Sequence, residues 1–219
     1  MPVTGSTSPA PGTAFERERR TAPQRTRADS RARLLASGQA LFAERGLHGV
    51  TSHDIAARAS VAAGTFYNHF SDKAALFREI THQAVAELDR RLEQAEPADL
   101  DLRQRVPLVA RALVEFAADH RDLIRILFSG DADAAAVEAD VLADLARRLS
   151  EGRRQAVAEG SMPRELDPDV LAQALVGMWA RVLAWWAQDP GQIAADSLIE
   201  TLTRIQLSGT HPQAGAEDA

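Results

Sequence analysis

The 219-residue chain has no cysteine, a single tyrosine and a single lysine, Lys73. Without thiols it has no route to disulfides, thiolate metal ligation or a cysteine nucleophile, a composition compatible with a reducing compartment. Every apolar stretch falls short of the roughly 18 residues needed to cross a membrane. The first residues carry proline, serine and arginine where a secretory signal carries an apolar core. A cytoplasmic protein with no membrane partner is expected. Strand-forming β-branched runs are missing, and so is a glycine-rich phosphate loop. The six histidines show neither the i, i+4 nor the clustered spacing of a helical metal site. Acidic residues are scattered, as on solvated helices. No catalytic residue, metal ligand or cofactor is expected, and an enzyme has little support.

What is present is helix-forming. Hydrophobic residues make up 45% of the chain, with alanine and leucine frequent, enough for the core of an all-α protein. The net charge is −6, but nine arginines precede Asp72 against five acidic residues, a local balance of +4 that leaves −10 for the remainder. A basic N-terminal unit on an acidic body fits a nucleic-acid reader with a separate regulatory domain, because phosphate contacts supply most of the affinity. A solvated arginine-rich tail fits the charge equally well.

Residues 1–24 are rich in Pro, Ser, Thr, Gly and Arg without a hydrophobic period, and read as a disordered arm. A first helix is predicted from near 29 to 45, with Leu34, Leu35, Ala40, Leu41 and Phe42 as its apolar stripe and Gly46 as a C-cap. Leu47, Val50, Ile55, Val61, Phe66 and Phe70 complete a three-helix core within a domain over 25–72. A helical body follows over 73–208. Its first helix starts after Ser71, and others are predicted over 102–119, 120–128, 132–159, 167–188 and 192–207. Asp167 caps a helix with Pro168 at its first position, and Asp189-Pro190-Gly191 separates the last two. The tail, 209–219, is polar and reads as loose.

The segment TSHDIAARASVAAGTFYNHFSDK, residues 51–73, carries the strongest signal. Thr51 with Asp54 three residues on is a capping box, in which each side chain satisfies the other's orphan backbone donor. Ile55 and Ala59 share a helix face, and Ser60-Val61-Ala62 leaves room only for a tight turn. In the next helix Phe66 and Phe70 point inward, and Ala63, Gly64, Tyr67 and Asn68 form the opposite face, small residues first. Helix, short turn and contact-ready second helix make a helix-turn-helix, whose second helix enters the DNA major groove.

The stretch GTFYNHFSDKAALF, with the preceding TSHDIAARA, resembles the N-terminal domain of TetR-type (tetracycline-repressor-like) transcriptional regulators. The motif covers roughly 30–76; the remainder agrees in length, all-helical pattern and a late tryptophan-bearing helix. Two positions depart from the family pattern. Ser60 stands where glycine is usual, at a cost if the backbone needs positive φ, and Ala62 stands where a capping hydroxyl is common. The resemblance implies DNA contacts from Tyr67 and His69 and a phosphate contact from Lys73. It also places His53 where some relatives reach the groove. Ala63 and Gly64 open the recognition helix without hydrogen-bonding side chains, so direct base readout should be thin. The hydroxyls of Thr51 and Thr65 can take phosphate, although Thr51 is equally explained as a cap. Arg25, Arg27 and Arg31 are open to a backbone or minor-groove role or to simple solvation.

For the body, the resemblance implies a homodimer through the last two helices, 167–188 and 192–207, and a ligand pocket among the middle helices. Phe116, His120, Ile124, Leu127, Phe128, Met178, Trp179 and Val182 are the pocket candidates by position, although for any single one of them ordinary core is the favoured reading. Trp185 and Trp186, about 100° apart on a helix, cannot face the same way. The expected function is a regulator, repressor by resemblance, that binds a palindromic operator in double-stranded DNA and is released by a small, largely apolar effector. A constitutive DNA binder whose body only dimerises or contacts proteins is the alternative.

Overall fold

A computed structural model of the chain describes residues 14–95, 100–160 and 166–208, with side chains from Thr26 onward apart from Leu102. These residues form nine α-helices and no strand. They are α1 (Ala14–Arg45), α2 (Ser52–Arg58), α3 (Ala63–Tyr67), α4 (Lys73–Ala95), α5 (Leu102–Asp119), α6 (Arg121–Leu127), α7 (Ala132–Ala158), α8 (Pro168–Trp186) and α9 (Ala195–Ser208).

The first helix begins well before the expected start near residue 29. Residues 14–24, read from composition as disordered, are helical; residues 1–13 lie outside the described residues. The run Glu16 to Arg20 consists of good helix formers, with Glu16 and Arg20 at supportive i, i+4 spacing, but lacks an apolar stripe. Propensity without an apolar stripe leaves no periodic signal.

The helices α1 to α3 and the start of α4 close around Leu34, Leu41, Phe42, Ile55, Phe66, Phe70 and Phe77, all buried. Phe42 and Phe77 meet edge to face, ring centres 5.7 Å apart. At the crossing of α1 and α4, a Cβ on Gly38 would fall 2.4 Å from Cδ2 of Leu76. Leu76 is itself fully buried, so glycine permits that approach.

In the body, α5 packs against α4 and α9, α7 packs against α8 and α4, and the short α6 touches α1, α7 and α8. Charged side chains fasten these helices. Arg148 of α7 donates to Asp89 of α4 at 2.5 Å, and Ser150 and Arg154 of α7 both donate to Asp169 in the first turn of α8. Arg121 of α6 donates to the carbonyls of Ala187 and Gln188, satisfying groups that the end of α8 leaves open. No helix among the described residues is long and apolar enough to cross a membrane.

Candidate nucleic-acid interface

Thr51 opens α2 with extended backbone. Its Oγ1 accepts from the Asp54 N–H at 3.1 Å and donates to Asp54 Oδ2 at 2.7 Å, while the Thr51 N–H donates to the same carboxylate at 2.9 Å. Those bonds hold the Asp54 carboxyl below its usual range. The Thr51 hydroxyl proton points to Asp54 here, while the two backbone bonds that make the box do not use it, so the cap and a phosphate contact from that hydroxyl are compatible.

The turn after α2 is a Schellman motif. Ser60 N–H donates to Ala57 O and Val61 N–H to Ala56 O, both at 3.0 Å. Ser60 occupies the left-handed position with φ 53°, where glycine would carry no Cβ strain. The guanidinium of Arg33, reaching from α1, donates to the carbonyls of Ala59 and Ser60 and steadies this turn from outside. Ala62, at the N-cap of α3, supplies no side-chain bond. Both departures from the family pattern thus fall where they were expected to matter.

The second helix is shorter than its pattern suggests: Phe66 lies on α3 and Phe70 three residues beyond its end, both buried with ring centres 5.8 Å apart, and Tyr67 at the end of α3 is 56% exposed. Among the described residues the Tyr67 hydroxyl has no hydrogen-bond partner. Gly64, Asn68 and, on α2, His53 are exposed, while Ala63 and Thr65 are half-buried. A Cβ on Gly64 would meet nothing within 4 Å. The chain's own packing therefore places no demand for glycine at that position.

Beside α3 lies an open polar cleft of about 670 Å³, lined by Thr26, Arg27 and Ser30 of α1 and by Thr65, Asn68 and His69. Arg27 spans it to the Asn68 carbonyl at 3.5 Å. Partial burial first, and then the charges of Arg27 and Arg31, push the His69 imidazole below its usual range. Thr26 and Ser30 were missed in the sequence, although they stand four apart on one helix face. Thr26 precedes the helix start that the pattern places near residue 29, whereas Ser30 lies inside that helix with no motif of its own.

Several basic residues are engaged by other groups of the chain. Arg31 pairs with Glu79 at 2.8 Å and lies over the Phe70 ring, and Arg58 pairs with Glu44 at 2.7 Å. Lys73 Nζ donates to the Leu47 carbonyl at 2.9 Å and stands 3.8 Å from Asp133 of α7. An internal role for Lys73 thus accompanies, and limits, the phosphate contact that the resemblance implies. The Arg25 side chain lies outside the described residues.

In the body, Phe116, Ile124, Leu127 and Trp179 are buried in the common core, with Phe128, Met178 and Val182 partly buried against it. His120 is half-buried. Its Nε2 lies 3.1 Å from Oε2 of Glu87, and its ring lies 4.5 Å from that of Phe116. Arg91 joins this group, pairing with Glu87 and with Asp119 and lying over the Phe116 ring. Trp179 Nε1 instead reaches Gln206 of α9 at 3.4 Å. The two tryptophans diverge as helix geometry requires: Trp186 is buried, donating to Ile193 O, and Trp185 is 47% exposed. Val170, Ile193 and Ile205 are further exposed apolar residues of the α8–α9 region.

Residues 34–80 match the family description "Bacterial regulatory proteins, tetR family". Residues 99–210, just over half of the chain, match "Tetracyclin repressor-like, C-terminal domain". The chain is 30% identical over 162 residues to the HTH-type transcriptional repressor DhaR of a Mycobacterium species, covering 68% of this chain and 78% of that protein. It is 28% identical over 187 residues to the HTH-type transcriptional repressor KstR2 of Rhodococcus jostii, covering 82% and 90%. The fold is similar to that of FadR from Bacillus subtilis in complex with stearoyl-CoA, with a TM-score of 0.67 at 19% identity over 82% of this chain and 99% of that one. With both halves of the architecture matched and the helix-turn-helix geometry in place, the chain belongs to the TetR family of bacterial transcriptional regulators.

Proposed function

We propose that the protein is a repressor that binds a palindromic operator as a homodimer and is released by a small, largely apolar effector. The observation that carries the DNA reading is the outer face of α3. Gly64 is unneeded by the fold, the exposed Tyr67 hydroxyl has no hydrogen-bond partner among the described residues, and a cleft with Arg27, His69 and three hydroxyl side chains lies alongside. Tyr67, Thr65, Asn68 and His69 are assigned to DNA, chiefly to phosphates, with Ala63 and Gly64 allowing close approach and His53 reaching from α2. Lys73 serves the same interface mainly by holding the loop that leads into α2.

One reading head per chain requires two chains for a palindrome, with heads about 34–36 Å apart or a multiple of that. The α8–α9 face supplies the second half of the argument. Val170, Trp185 and Ile205 are apolar and exposed in the single chain, and burying them against a second copy removes that surface from water. For the effector, the apolar candidates around Phe116 and Met178 offer few polar anchors, and the His120–Glu87–Arg91 group is the one that would meet a ligand's polar end. The FadR complex with stearoyl-CoA supports a ligand bearing a long acyl chain.

Mobility shifts on the DNA flanking the gene test the proposal. Wild type should bind one palindromic fragment selectively and with steep salt dependence, and Tyr67→Ala should weaken binding severalfold; weak, unselective binding equal in both proteins would refute it. Acyl-chain compounds should quench tryptophan fluorescence and release the operator, with His120→Ala shifting both responses. The constitutive reading is favoured by one observation, the internal bond that already occupies His120, and release by no compound tested would select it.

A further inference from the structure

The loop between α1 and α2 meets the start of α7, and three metal-ligating side chains converge there. His48 comes from the reading head; Asp131, the N-cap of α7, and Asp133, in its first turn, come from the body. One donor atom from each lies within 4.8 Å of the others. We propose that His48, Asp131 and Asp133 form a binding site for a divalent transition-metal ion of the zinc or manganese class, which fastens the reading head to the body.

Asp131 is already shaped as a ligand. Its Oδ1 accepts from the Asp133 N–H at 2.8 Å, which fixes the carboxylate plane, and its Oδ2 faces His48 Nε2 at 2.9 Å. The Asp131 side chain is only 9% exposed, so few rotamers compete, whereas the His48 imidazole is 73% exposed and open to an arriving ion. Ligand atoms about 2.0–2.2 Å from a metal stand roughly 3–3.5 Å apart in a tetrahedral set, so small side-chain rotations complete the contraction. One imidazole and two carboxylates, with water in the open positions, suit borderline divalent ions. Magnesium and calcium prefer all-oxygen sets, and a soft ion such as Cu(I) prefers sulfur.

Two features oppose the ion. The Lys73 ammonium stands 3.8 Å from Asp133, and the positive end of the α7 dipole lies at the site. Neither cancels it: the two carboxylates leave a net charge of −1 after Lys73, and Lys73 bonds the Leu47 carbonyl, which positions the neighbouring His48.

The test is calorimetric titration and thermal unfolding of the full chain with zinc chloride and, separately, manganese chloride. With a dissociation constant of about 10 μM, 100 μM ion should raise Tm by about 3–6 °C. His48→Ala, at an exposed position, should keep the Tm of the metal-free protein and weaken binding at least tenfold. Asp131→Asn, which retains the helix cap, should do the same. Hydrogen exchange should slow in residues 46–50 and 129–133 together when the ion binds. Binding undiminished in both variants, or no binding at 100 μM of either ion, overturns the site, and exchange slowed on one side only overturns the fastening.

Discussion

In the reading head, two cations that hold the fold donate to backbone: Arg33 to the carbonyls of Ala59 and Ser60, and Lys73 to that of Leu47. In the body, the comparable arginines are neutralised by carboxylates: Arg148 by Asp89, Arg154 by Asp169, and Arg91 by Glu87 and Asp119. Neither use is exclusive, since Arg121 of the body also donates to the carbonyls of Ala187 and Gln188 and Arg31 and Arg58 of the head pair with Glu79 and Glu44; the balance of charge is what differs, positive in the head and negative in the body. Net charge identifies the basic half, but it does not say which arginines face DNA. Arg31, Arg33 and Arg58 are drawn into internal contacts, and Arg27 stands at the cleft beside α3.

The sharpest break in this comparison is Phe66→Ala. It empties a fully buried site of the head and should cost about 3–5 kcal/mol, seen as early loss of operator binding and a lower denaturation midpoint. Gly177→Asp probes the body. Gly177 is exposed with open space around a Cβ, so the subunit should fold normally while a buried charge weakens association by about 3 kcal/mol, read by sedimentation. Ala184, another small residue of that helix, is buried within the subunit, and a charge there would disrupt folding as well.

Gly64→Leu should leave the Tm unchanged or slightly higher, since it adds helix propensity in open space, yet reduce operator affinity about a hundredfold, roughly 2.7 kcal/mol. Operator binding with wild-type affinity would mean that α3 does not approach DNA on that face. His69 gives a smaller effect with a definite sign. Burial and the cations Arg27 and Arg31 lower its pKa in the free protein, and a DNA phosphate would raise it again. Affinity should then rise as pH falls below 7 toward the lowered value, by less than tenfold per unit, as each binding event takes up at most one proton. His69→Gln should flatten that slope, and an unchanged slope would assign it to other groups. Smallest of all, Ser60→Gly should stabilise the head by roughly 0.5–1 kcal/mol, the relief of left-handed strain less the greater entropy of glycine in the unfolded chain.

The sequence located the helix-turn-helix almost residue by residue because its determinants are local. The Thr51–Asp54 box, the three-residue turn at Ser60 and the Asp167-Pro168 start each act within four positions, and α5 runs over the residues expected of it. The beginning of α1 was not legible, because a helix without an apolar face leaves no period to read. The start of α9 at Ala195, three residues later than its pattern suggested, reflects the usual weakness of signals at element ends.

By itself, then, the sequence determined an all-α chain, the place of the reading helix and which of its residues face outward, since 3.6-residue periodicity and capping chemistry are properties of neighbours. Only the tertiary structure decided that Arg33 steadies the turn at Ser60, that Lys73 meets Leu47, that His120 meets Glu87 and that His48 meets Asp131. Each of these pairs joins residues 26 or more apart in the chain. Whether such groups meet depends on how whole helices pack, and no local pattern encodes that.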